Sequence, residues 1–271
     1  MVEVSLLDLL GYTFFQNALL GGTIAALACA LIGLFLILRN EAMIGDGIAH
    51  TAFGGIALGL FVGVLPLLMA LVVAVLSVLG ISYMRKKGLA RSDSAIAVML
   101  ALGFSLGLII ISLADGFNIE LFSFLFGSIL TIDVKDLALI STLGLFTVGF
   151  VGVFYKELLS MTFDEEAARL VGIPVGSLGI AFNVLVAVAI VLSIKVVGMI
   201  LVVALRVLPG LTALQLDLSF KATATTAIVF AVASVVAGIT VSALTDVATS
   251  GVIIFTGAAI FLFVATYRRL E

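Results

Sequence analysis

Two long stretches of this chain carry no charged side chain, from Leu9 to Leu38 and from Thr51 to Met84. A helix crosses the ~30 Å hydrocarbon core of a bilayer with ~20 apolar residues at ~1.5 Å each. The first stretch therefore fits one spanning helix, centred on Leu19–Leu38. The second is too long for one helix and too short for two, so its first helix must begin ahead of it, near Ala42. That places Asp46 and His50 inside the first turns of a membrane helix. The hairpin between the two helices falls at Gly63–Pro66, where glycine and proline supply the turn. Composition agrees, with 63% hydrophobic residues, 11% charged and a mean hydropathy of +1.41. A soluble domain holds about 25% charged residues, and this chain has too few to coat a water-facing exterior. The fold class expected is an all-α integral membrane protein, a polytopic helical bundle.

Further charge-poor runs at Ser94–Ala114, Leu137–Tyr155, Leu178–Ile194, Val196–Leu216, Ala222–Thr245 and Val247–Thr266 raise the expectation to about nine membrane helices. Lys and Arg collect on the cytoplasmic side of membrane proteins. Nine crossings from an outside N-terminus put Arg39, the Arg85–Arg91 loop, Lys156 and Arg268–Arg269 on that side, provided Ile119–Leu130 does not cross. That segment is short and flanked by Asp115, Glu120 and Asp133, which suits a surface or partly inserted helix. Arg206 and Pro209 interrupt Val196–Leu216; without that crossing eight helices remain and the C-terminus changes side. No linker or low-complexity tract divides the chain, so 1–271 is read as one membrane domain with no soluble domain. A net charge of −3 and the lack of a basic cluster point away from nucleic acid. Cys29 is the single cysteine and sits in an apolar run, as a small packing residue would. Glu3 and Asp8 stand where a cleavable signal peptide would be basic, so none is expected.

Asp46 and His50 are the first residues with chemistry. Four apart, they lie on one helix face about a turn from each other. A carboxylate and an imidazole so placed can hold one divalent cation from the same side, and that donor pair suits zinc or manganese better than calcium. They can also be a buried pair that fixes helix packing. An acid in the bilayer core costs at least ~2.5–3.5 kcal/mol, which favours a functional reason for it. His50 is the only histidine, so one protomer cannot build an all-histidine site. Asp246, between the last two spans, is a candidate further oxygen ligand or a residue of a polar turn. Gly55, Gly59 and Gly63 form a small-residue ridge that reads as helix packing.

A third constellation runs from Thr162 to Pro174 and reads as a short separate helix. Thr162 and Glu165 have capping-box spacing, Asp164, Glu165 and Glu166 crowd the first turn, and Arg169 stands near the last. Gly172 suits the C-terminal cap and Pro174 blocks continuation. Phe163, Ala167, Leu170 and Val171 share its apolar face. A loop helix and a docking peg for a cytoplasmic partner both fit. No lysine follows a glycine anywhere, so the chain lacks a Gly-x-x-x-x-Gly-Lys-Ser/Thr phosphate loop and any ATP hydrolysis belongs to another chain.

The segment from Gly45 to His50, followed by Phe53 to Gly59, resembles the signature of zinc and manganese ABC transporter permeases. The resemblance continues through Asp93–Ile96, Leu125–Leu130, the Asp164–Pro174 helix and Ser193–Val202 as far as Leu208-Pro209. It implies a multi-pass permease of the plasma membrane, not itself an enzyme, that imports divalent metal, zinc first and manganese second. It implies a homodimer in lipid, two copies of a cytoplasmic ABC ATPase and an extracytoplasmic metal-binding protein. No permanently bound cofactor is implied, only the transported ion. Asp46 and His50 match family ligands. Asp246 matches less closely, because its spacing to Gly251 is one residue longer than the family pattern. Thr162, Phe163, Asp164, Glu165, Ala167, Leu170, Val171 and Gly172 match the coupling helix that inserts into the ATPase. Arg206 departs from an apolar position and is expected to pair with an acid or face the cytoplasm. A secondary metal/proton exchanger and a permease for iron chelates or cobalamin are the alternatives.

Cysteine labelling in a Cys29→Ser background tests the topology. Probes at positions 87 and 268 are expected to react only from the cytoplasm and a probe at position 3 only from outside. Labelling of position 3 from the cytoplasm contradicts the nine-span reading.

Overall fold

The computed structural model describes residues 9–114, 119–127, 132–245 and 247–270. The described residues form α-helices and connecting turns, with no strand among them. In chain order the helices are α1 (Thr13–Leu38), α2 (Ile44–Val62), α3 (Pro66–Lys86), α4 (Ser92–Leu113), α5 (Ile119–Phe126) and α6 (Val134–Val153). They continue with α7 (Tyr155–Phe163), α8 (Glu165–Leu170), α9 (Val175–Val197), α10 (Met199–Leu214), α11 (Phe220–Thr245) and α12 (Thr249–Leu270).

Eight of these, α1, α2, α3, α4, α6, α9, α11 and α12, are long and apolar enough to cross a bilayer. Among the described helices the count thus meets the eight-helix alternative, in which an even number of crossings has positions 3 and 268 labelled from the same side rather than from opposite sides; the ninth run expected at Val196–Leu216 is α10. With 16 residues α10 is about 24 Å long, short of the hydrocarbon thickness, and Pro209 lies inside it. It is separated from α9 by Gly198, whose φ of 86° is left-handed and ends the preceding helix. The short segment after α4 is α5, eight residues and therefore too short to cross.

The chain packs as two compact units. One comprises Met1–Ile37, Ser123–Phe146 and Leu192–Glu271; the other comprises Leu38–Phe122 and Thr147–Val191. In lipid the apolar surroundings give no hydrophobic drive to helix association, so close contact through small residues carries much of the packing. In the first unit Gly33 of α1 faces the main chain of α10 so closely that a methyl group there would overlap the carbonyl of Arg206. Gly238 of α11 lets the backbone of α12 approach at Ile253. Cys29 is buried and shares a 3.0 Å hydrogen bond with Ser193, a packing role as expected. Asp133 and Asp136 cap the start of α6 reciprocally: Asp133 accepts from the Asp136 amide at 2.7 Å and Asp136 from the Asp133 amide at 3.3 Å. The first of these bonds is the main reason the Asp133 carboxyl titrates below its ordinary value. Asp136 also pairs with Lys195 at 3.4 Å, and the Lys195 ammonium lies 5.3 Å from the Phe124 ring centre.

In the second unit α2 packs on α3 and on α4. Gly55 meets the backbone at Met69 and Ala70, and Gly59 meets Pro66, so two of the three glycines of the ridge are packing positions. Gly63 is not. Nothing lies within 4 Å of where its Cβ would stand, and its φ of 76° makes it the left-handed C-terminal cap of α2. Pro66 opens α3 at its first position, which completes the hairpin turn at the expected place.

Gly33→Ala is expected to lower stability by roughly 1–3 kcal/mol, because backbone must move to admit the methyl group. A thiol-reactive fluorophore that reports exposure of buried Cys29 on heating measures it; an unchanged midpoint contradicts the packing account.

Candidate functional site

The start of α2 is built around Glu41. Its main-chain carbonyl accepts from the Ile44 amide at 3.0 Å as the chain turns into the helix. Its carboxylate, on a residue only 7% exposed, meets Arg39 at 3.0 Å and Arg85 of α3 at 2.9 Å. The Arg39 guanidinium in turn lies 5.7 Å from the centre of the Phe182 ring of α9. Glu41 is the buried member and Arg85 the exposed one, so removing the arginines would leave a buried carboxylate uncompensated, and the arrangement holds the entry to α2 in one geometry.

From that anchored start α2 carries Asp46 in its first turn and His50 one turn on. Met43 at the cap gives no side-chain bond, and the Asp46 carboxylate instead meets the positive end of the helix dipole, worth about 0.3–1 kcal/mol. Both residues are half-buried while the α2 residues between them, Gly47, Ile48 and Ala49, are buried. The carboxylate is near enough to act electrostatically on the imidazole. The His50 ring stands edge-on to Phe104 of α4, centroids 5.4 Å apart at 87°, and Phe104 stacks on Phe53 at 5.8 Å and 29°. Nδ1 of His50 is buried and makes no hydrogen bond among the described residues. Buried polar atoms nearly always have a partner, so an imidazole held by ring contacts, with a nitrogen unused, fits the chemistry of an ion ligand.

The structure thus brings Asp46 and His50 onto one face, as their spacing requires. Asp246 lies outside the described residues. Among the described residues no three His, Cys, Asp or Glu side chains gather as a metal cluster. Arg206, expected to pair with an acid or face the cytoplasm, is buried in its unit at 1% exposure, beside Gly33. The residues that sequence reasoning passed over are Glu41, Phe104 and the pair Gly103 and Gly107. The last had a legible signal, two glycines four apart, matching the ridge noticed on α2.

The segment from Thr162 to Gly172 is two helices rather than one. Thr162 and Phe163 end α7, and the Thr162 hydroxyl donates back to the Leu158 carbonyl at 2.7 Å instead of capping forward. The cap is Asp164, whose carboxylate accepts from the Ala167 amide at 2.9 Å and opens α8. Asp164 outcompetes Thr162 because it sits immediately before the helix with extended backbone, the geometry a cap needs. At the other end the Gly172 amide donates to Arg169 and the Ile173 amide to Ala168, at 3.2 and 3.0 Å. This paired closure uses the left-handed φ of Gly172, 89°. The Glu165–Arg169 pair is exposed and adds little. Ala168 is fully buried, whereas Phe163, Leu170 and Val171 are 68%, 88% and 76% exposed. Ala167 is exposed with them, so the apolar face expected of this segment is uncovered.

Known proteins resemble this chain over nearly its whole length. The model of a family described as the ABC 3 transport family matches residues 11–268. The manganese transport system membrane protein MntC of Halalkalibacterium halodurans is 32% identical over 254 residues, 94% of this chain and 87% of that protein. A protein named as a probable iron transport system membrane protein in Haemophilus influenzae is 30% identical over 266 residues, 98% of each chain. Among solved structures, PsaBC from Streptococcus pneumoniae in complex with Fab matches with a TM-score of 0.85 at 30% identity, over 94% of this chain and 92% of that one.

Proposed function

This chain belongs to the ABC 3 transport family, and from that premise we propose that it imports a divalent metal ion through a pathway in which Asp46 and His50 hold the ion in transit. It is a metal transport permease, and ATP is hydrolysed by a separate partner chain. The observation that carries the ion-site reading is the half-buried Asp46–His50 face at the start of α2, with an imidazole nitrogen that makes no hydrogen bond among the described residues. A carboxylate and an imidazole replace part of the ion's hydration shell. Two protein ligands bind moderately, and an ion that must leave again is better served by such a site than by a closed cage. The remaining positions are filled by Asp246, by water or by the same pair from a second copy of the chain in a homodimer.

Manganese stands ahead of zinc in this proposal, the reverse of the order expected from the sequence. The printed names of several relatives support the change, because three read manganese and one reads iron, while none of these four reads zinc. An extracytoplasmic binding protein delivers the ion. On the cytoplasmic side α8 and its flanks couple to the ATPase. The exposed Phe163, Leu170 and Val171 supply an apolar surface for a cleft, and each such side chain buried there is worth about 1.5–3 kcal/mol. The closed caps at both ends let α8 move as one piece. ATP binding closes the ATPase pair, α8 follows, and the pathway turns from outward-facing to inward-facing.

Asp46→Ala and His50→Ala are each expected to reduce manganese uptake at limiting metal to background while membrane insertion and ATPase association stay intact. Uptake at the parental rate by both variants contradicts the site.

Ala167→Asp tests coupling separately. It puts a charge on the exposed apolar face, where it is expected to block uptake and release the ATPase in pull-downs, with metal binding unchanged. A variant that retains its ATPase and its uptake contradicts the role of α8.

A further inference from the structure

We propose that Phe104 is the positioning residue that fixes the His50 imidazole for the ion, an inference that rests on the metal-site reading above. A histidine on one turn of a helix swings about two side-chain torsions. Metal-binding histidines are ordinarily held by a hydrogen bond from the second ring nitrogen. His50 lacks that device, since its buried Nδ1 makes no hydrogen bond among the described residues. What does hold the ring is aromatic: Phe104 at 87° and 5.4 Å, itself backed by Phe53 at 5.8 Å. An edge-to-face contact of this kind is favourable beyond its buried area.

Phe104 reaches His50 because α4 approaches α2 with almost no side chain between them. A methyl group on Gly103 would overlap Thr51, one on Gly54 would overlap the Gly103 carbonyl, and one on Gly107 would stand 2.9 Å from the Phe53 ring. The residue after Gly103 is thereby delivered to the face that carries His50. The contact constrains orientation without a hydrogen bond to Nδ1 among the described residues. A transit ligand needs that combination, in which the ion meets a pre-set imidazole and displaces no hydrogen bond on arrival or departure.

Because His50 is the only histidine, full-length permease labelled with 13C-histidine and reconstituted in lipid nanodiscs gives one imidazole signal. That signal is expected to show a nuclear Overhauser contact to Phe104, and zinc(II) or manganese(II) added alone is expected to shift or broaden it. Phe104→Leu should lose the contact and need about three to ten times more metal for the same change, whereas Phe104→Tyr, which keeps the ring, should behave as wild type. A folded Phe104→Leu protein with wild-type metal response overturns the proposal, and Phe104→Met makes the same comparison if leucine prevents folding. Absence of the His50–Phe104 contact in the wild-type protein overturns it without any variant. If neither ion perturbs wild-type His50, the metal-site reading itself fails; an equal response in wild type and Phe104→Leu removes only the role of Phe104.

Discussion

The proposed ion site depends on how closely α3 and α4 can approach α2. Side chains that would pack such helices apart are missing at Gly54, Gly55, Gly59 and Gly103, and the backbones meet where those residues lie. In a soluble protein, expulsion of water would help to hold the three helices together; in lipid the contact area has to do so. The same closeness decides which side chains surround His50. Phe53 from its own helix and Phe104 from α4 make an aromatic wall, and the imidazole is placed against it. Packing and presentation of the ligand are one geometric fact.

Charge inside this protein is sparse, and Glu41, Asp46 and the acids of α8 fall at helix starts. Glu41 is enclosed by Arg39 and Arg85 and fixes the chain where α2 begins. Asp46, in the first turn of the helix, is stabilised by the helix dipole and half-buried. A carboxylate near an anchored helix start suits the proposed role of meeting a cation in transit. The acids of α8 serve a different purpose, since Asp164 closes the helix start and Glu165 pairs locally with Arg169. The exposed apolar residues of that segment are then presented on a small rigid element.

Most of the helices could be read from the chain because a membrane helix is defined by what is absent from it, and charge-free runs are visible without any contact information. The Gly63–Pro66 turn was legible for the same local reason, as were Asp46 and His50, which sit on one face by spacing alone. Three features were not legible. Asp164 rather than Thr162 caps α8, because the choice depends on where the preceding helix α7 ends. Gly63 caps α2 instead of packing, a distinction that rests on what lies opposite it. Phe104 is more than fifty residues from His50, and no periodicity links them; only the meeting of α2 and α4 does. Val196–Leu216 fell between these classes: the run is apolar, but Gly198 and Pro209 shorten its helix to 16 residues.

The central claim is that the transported ion passes through the hands of Asp46 and His50. Anomalous scattering from manganese, measured on metal-loaded full-length permease in lipid, tests it without a mutation. The account predicts an anomalous peak within about 2.5 Å of both an Asp46 carboxylate oxygen and an imidazole nitrogen of His50. A fully occupied ion elsewhere in the membrane region, touching neither residue, would contradict it.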